Sequence, residues 1–242
     1  MKIQRIILPV LVATSLFTAC NSDDDKNDPE EVLLSQEEQN QVDDDAISLL
    51  LKDYYLNDQG KLTAFSDADP SDDNKTPLAD IAVYHDMGYW TVKKQDYTSE
   101  GRKVADPEKD SILLQYEMFT YKGKINKAKD SVSYATPQRF LSTINTTGYP
   151  SWDPTFYFKK ITKEQEEAKI TKSMYEIEAF QEGTKFFNSA DKNMTDTPFV
   201  NFQGLIIIPS RLAFGRERNA MGVNIDQSII VNFELYKVID RK

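Results

Sequence analysis

The sequence predicts an α+β fold: an antiparallel β-sheet wrapped on one main helix, with an N-terminal amphipathic helix and insertions. Three patterns carry that prediction. Strand-like runs fill the second half of the chain, most plainly Gly204 to Ile208 and Ser228 to Ile239. Ile177, Phe180, Thr184 and Phe187 recur at helical spacing ahead of them. Far upstream, Ile47, Leu50, Leu51, Tyr54 and Tyr55 follow the i, i+3, i+4, i+7, i+8 rule of one helix face.

The extreme N-terminus reads as a processing signal. Lys2 and Arg5 form a short basic region, and Ile6 to Ala19 is almost wholly apolar. That stretch is shorter than the about 20 residues a membrane-spanning helix needs, and it has the proportions of a secretory signal peptide. It ends in Leu16-Phe17-Thr18-Ala19-Cys20, which resembles a lipobox, with Phe17 where leucine is usual. The resemblance implies cleavage before Cys20 and acylation of its sulfur. It also implies a membrane partner through the lipid, at the outer membrane of the cell envelope. Asn21 to Glu31 is polar and acidic, so it is expected to be a disordered tether. Within it, Ser22-Asp23-Asp24-Asp25 resembles the acidic signal that sends some lipoproteins to the cell surface, and equally suits a plain solvated linker.

Composition narrows the chemistry. Cys20 is the only cysteine and His85 the only histidine. With Cys20 acylated, disulfides, thiolate nucleophiles and cysteine–zinc sites are excluded, as are multi-histidine metal centres. Any Ser-His-Asp triad would have to use His85. The net charge is −10, and loss of Lys2 and Arg5 takes it to −12, with no Lys/Arg cluster; no nucleic-acid partner is expected. No cofactor or metal is expected, although the Asp-rich loop from Ser66 to Asp80, with Pro70 and Pro77, offers oxygen ligands without EF-hand spacing.

The elements follow in order. Asp43-Asp44-Asp45 suit the start of the first helix, where the dipole favours negative charge, and Gly60 suits its end. Tyr89 to Val92 reads as an early strand. Ile112, Leu114, Tyr116 and Met118 alternate as in a half-buried strand. Ser173 and Glu176 have capping-box spacing for the second helix. Ile229, Val231, Phe233 and Leu235 share one face of the last strand.

Several blocks together resemble the FKBP-type peptidyl-prolyl isomerases. Leu205-Ile206-Ile207-Ile208-Pro209 running into Leu212-Ala213-Phe214-Gly215 is similar to the family's strand, proline and "LAYG". Ile229 to Leu235 fits its closing "LIFDVEL" strand, and Glu176 to Gly183 (EIEAFQEG) resembles its "VIxGWEEG" helix. Leu114-Gln115-Tyr116 with Gly123, and Pro154 to Phe158, are looser matches. On this reading the chain divides into signal peptide (1–19), acidic tether (20–35), extension with the amphipathic helix (36–85) and a divergent FKBP-like domain (86–242). The domain carries insertions near 128–153 and 159–174.

Such a domain lowers the roughly 20 kcal/mol barrier to X–Pro rotation without covalent chemistry, by preferring the twisted amide. The resemblance places Ile177, Phe180, Phe214 and Tyr116 in the catalytic pocket, and Phe156, Val223 and Val231 among its substrate-binding walls. The Ile177 N–H would hold a ligand carbonyl. It implies proline-containing polypeptide clients and a monomer. The departures are Phe180 for the floor tryptophan, Phe214 for a tyrosine, Asn224-Ile225 for a proline pair, Val231 for an aromatic, and Asn126-Lys127 where the family has Phe-Asp. Weak isomerase activity is therefore expected. The alternative is a non-catalytic chaperone or partner-binding module gripping through its insertions. A glycan- or nutrient-capture role would rest on Trp90 and Trp152 alone.

Overall fold

The longest strand is the last one, which runs antiparallel to the second longest, and the rest of the sheet is built outward from that pair. A computed structural model describes residues 33–126, 130–196 and 200–242. Cys20, the signal peptide, Ser22 to Asp25 and Lys127 lie outside the described residues. The chain runs from α1 (Gln36–Asp53) through β1 (Tyr54–Leu56), β2 (Leu62–Ala64), β3 (Ala82–Tyr84) and β4 (Trp90–Lys93). Next come β5 (Asp110–Tyr121), β6 (Gly123–Asn126), β7 (Ser131–Tyr134), β8 (Gln138–Ser142) and β9 (Ser151–Trp152). The final elements are α2 (Lys163–Glu167), α3 (Glu178–Thr184), β10 (Gly204–Ile208) and β11 (Ser228–Asp240).

The result is a mixed fold with a large antiparallel sheet and few helices. The strand order is β3-β4-β10-β11-β5-β8, and β9 also pairs with β5. β11 pairs with β5 along nearly its whole length, from Ser228 opposite Tyr121 to Asp240 opposite Asp110. β1–β2 and β6–β7 form two small separate hairpins. The insertion near 128–153 thus contributes strands to the sheet margin, and the one near 159–174 carries α2.

Both faces of the sheet are covered, and this revises the expected single main helix. One face carries Ile206, Ile208, Ile229, Val231, Phe233 and Leu235 against α3. The other carries Leu205, Ile207, Ile230 and Tyr121 against Ile47, Leu50 and Leu51 of α1. The alternation of β5 predicts a half-buried strand, yet ten of its twelve residues are buried because α1 and the segments after it occupy the second face. α3 is only seven residues long, whereas α1 has eighteen.

Helix boundaries also move. α1 begins after Ser35, whose hydroxyl accepts from the Glu38 N–H at 3.2 Å while the Glu38 carboxylate accepts from the Ser35 N–H at 2.9 Å. This capping box sets the start of the helix. The acids Asp43, Asp44 and Asp45 therefore lie mid-helix rather than at the N-terminus, and Asp43 is fully buried. Tyr54 and Tyr55 fall in β1, not on the helix. Gly60 does not stop α1 but turns the chain between β1 and β2, with φ +71°, where a Cβ would lie 1.9 Å from the Phe202 carbonyl oxygen. Ser173 and Glu176 do not cap α3, because a tight turn over Lys172–Met174 intervenes. Ile177 is the N-cap residue, and Glu176 Oε1 instead accepts from the Lys159 N–H at 2.6 Å.

Candidate functional site

Five separate segments bring the expected pocket residues to one face of the sheet. Tyr116 comes from β5 and Val231 from β11, whose register sets Val231 opposite Met118 and Phe233 opposite Tyr116. Phe156 sits in a single turn closed by the Tyr157 and Phe158 amides, which donate to the Pro154 carbonyl at 2.7 and 3.0 Å. Ile177 and Phe180 come from the start of α3, and Phe214 and Val223 from the loop between β10 and β11. All seven belong to one apolar cluster, with Tyr116 packed at its margin.

The rings meet edge to face. Tyr116 and Phe156 have centroids 4.9 Å apart, Phe156 and Phe180 5.0 Å, and Phe180 and Phe233 5.8 Å, all steeply inclined to one another. Sequence pattern puts Phe187 on the helix face and Phe233 on the strand face but gives neither a place in the pocket; Phe187 lies 4.9 Å from Phe233. The alternation of β11 is the signal that could have found Phe233, since it shares a face with Val231.

The loop bearing Phe214 and Val223 is held by an ion pair between the half-buried Arg216 and a buried carboxylate. Arg216 grips Asp226 through two contacts at 2.8 and 3.1 Å, and Asp226 is fully buried. The Asn219 side chain accepts from the Val223 N–H at 3.0 Å and donates to the Val223 carbonyl at 2.8 Å. Beyond them Ile225, where the resemblance leads one to expect a proline, is 48% exposed.

Two features depart from an open pocket. Phe156 and Phe180 are fully buried and Phe214 is 5% exposed, so the rings fill the space between sheet and helix. The Ile177 N–H, expected to meet a ligand carbonyl, donates to the Phe156 carbonyl at 2.9 Å. A ligand carbonyl would have to displace that bond, at a net cost of about 0.5–1.5 kcal/mol. Tyr116 is only partly buried, and among the described residues its hydroxyl has no hydrogen-bond partner; burial raises its pKa.

His85 touches the cluster through Tyr89, on which it stacks at 4.7 Å, and none of the seven expected pocket residues is among its ring contacts; its Nε2 lies 2.8 Å from the Thr91 hydroxyl. Burial lowers its pKa. Trp90 contacts Tyr84 at 4.9 Å, and Trp152 is 40% exposed on β9. Asn126 ends β6.

No protein-family model matches the chain, and no curated protein matches it. Among solved structures it is similar to FkpA from Escherichia coli, with a TM-score of 0.37 and 16% identity over 66% of this chain. The match takes in 52% of that protein, so the chain spans about half its length. A likeness at that level carries no functional weight.

Proposed function

We propose that the chain is a lipid-anchored, FKBP-like module that binds proline-containing segments of envelope or surface proteins and isomerises their X–Pro bonds weakly. The observation behind this reading is the convergence of Tyr116, Phe156, Ile177, Phe180, Phe214, Val223 and Val231, far apart in sequence, on one aromatic cluster beside α3. An apolar, aromatic wall favours the less dipolar twisted amide over water, and no titrating group is needed. The partly exposed Tyr116 hydroxyl offers the substrate a hydrogen bond. The engaged Ile177 amide and the closed rings account for weakness.

An isomerisation assay on short proline peptides tests it. The expected result is a rate above buffer that falls about tenfold in Phe214→Ala, a loss of about 1.4 kcal/mol of transition-state binding, with an unchanged circular dichroism spectrum. A rate equal to buffer for folded protein would sink the enzyme and leave the second reading, a non-catalytic polypeptide-binding module. The same closed rings and engaged amide favour that alternative.

Anchoring rests on the lipobox-like segment ending at Cys20. Two or more acyl chains hold a protein stably where one is marginal. Radiolabelled palmitate should enter the wild type and not Cys20→Ser; labelling that persists in the variant overturns the anchor.

A further inference from the structure

The insertion near 159–174 folds beside the ends of β5, β9 and β11 and encloses with them a groove of about 900 Å³. That is at the upper end of the size usual for binding sites. The groove lies outside the aromatic cluster but is joined to it through one short turn, since Phe156 enters the cluster and Phe158 lines the groove.

Its apolar lining is Trp152, Phe158, Ile161, Ile170 and Ile239. Trp152 and Ile239 are 40% and 36% exposed, so the groove presents apolar surface to a ligand. The floor is tied down by its own contacts. The Arg241 guanidinium sits 3.4 Å from the Phe158 ring centre and Lys172 Nζ 5.0 Å from it. Arg241 is fixed in turn by Asp153 and by the Pro107 and Asp110 carbonyls, and Lys172 by Glu108.

Charge selects the occupant. In a chain of net charge −10, the groove holds four cations, Lys160, Lys172, Arg241 and Lys242, against Asp153, Glu166 and Asp240. Arg241 and Lys172 are already paired, with Asp153 and Glu108, and Asp240 with Arg102, which leaves Lys160 and Lys242 against Glu166. Among the described residues Lys160 and Lys242 have no carboxylate partner. We infer that this groove binds an extended acidic and apolar polypeptide segment, its apolar side chains against Trp152 and Ile239 and its carboxylates on Lys160 and Lys242. The exposed tryptophan beside an arginine matches the residue types that dominate polypeptide interfaces. The site goes beyond the proposed isomerase function and does not require a proline.

The test is fluorescence anisotropy of a short labelled peptide of alternating Leu and Glu, without proline, titrated with the full chain. A Leu/Lys peptide serves as the control. Saturable binding of the acidic peptide alone is expected, weakening with added salt and falling about tenfold in Lys160→Glu and in Trp152→Ala. Both side chains are exposed, so an unchanged melting curve shows that the variants are folded. Absence of binding, equal binding of the two peptides, or binding unaffected by either substitution overturns the proposal. Isomerase activity, read on proline peptides, succeeds or fails separately.

Discussion

The two faces of the sheet are equally buried but are built differently. On the α3 face β11 presents Ile229, Val231, Phe233 and Leu235, an unbroken apolar row. On the α1 face it presents Ile230, then Asn232 and Glu234, both fully buried. Asn232 accepts from the Leu62 N–H at 3.0 Å and donates to the Gly60 and Gly204 carbonyls at 2.9 Å, pinning the β1–β2 turn to the sheet. Glu234 accepts from the Tyr97 hydroxyl at 2.6 Å and from Lys192. The first face is held by packing and the second by packing plus polar groups that cost free energy unless partnered. The aromatic cluster belongs to the uniform face, and the segments preceding the sheet are secured by the mixed one.

Core truncations test whether both faces belong to one cooperative unit. Phe180→Ala should cost about 3–5 kcal/mol and Leu50→Ala about 2–5 kcal/mol, since each side chain is fully buried. Urea unfolding should show a single transition shifted to lower denaturant in each variant. If Leu50→Ala instead melts helix ahead of an unshifted main transition, α1 is a separable cover and the equivalence of the faces fails.

The uniform face is legible in the sequence because period-two alternation reports one buried side directly. Gly204 to Ile208 forms a strand at the bounds its composition predicts, and Val231 and Phe233 of β11 lie in one apolar cluster. On the mixed face the apolar helix residues Ile47, Leu50 and Leu51 are legible and the buried polar groups are not. Alternation assigns Asn232 and Glu234 to solvent, and only partners distant in sequence, such as Gly60 and Tyr97, show that they are buried. The Asp43 to Asp45 run misleads for a related reason, since acids at a helix start and an acid buried within a helix look alike until Ser210 is placed. The partner of the Ile177 amide escapes sequence reading because a backbone donor's bond leaves no mark on side-chain pattern.

Asp43 offers the finest test of the mixed face. It accepts from Gln39 Nε2 at 2.8 Å, from the Ser210 N–H at 3.1 Å and from the Ser210 hydroxyl at 2.5 Å. Burial raises its pKa above 3.8; hydrogen bonds from Ser210 and Gln39 and the charge of Arg211 oppose the shift without cancelling it. The folded state therefore holds this proton more tightly than the unfolded chain does. Its contribution to stability is fully present below the ordinary aspartate pKa and is lost as pH rises through the raised value in the fold. Asp43→Asn keeps an acceptor and cannot titrate. The wild type minus Asp43→Asn difference in unfolding free energy should therefore fall as pH rises through that window and be flat on either side. The difference is needed because Asp58, Asp69 and Asp106, whose pKa values are lowered, tilt both curves the other way. A difference that rises with pH would mean that Asp43 is stabilised as a carboxylate, and the α1 face would then be held by a buried charge rather than despite one.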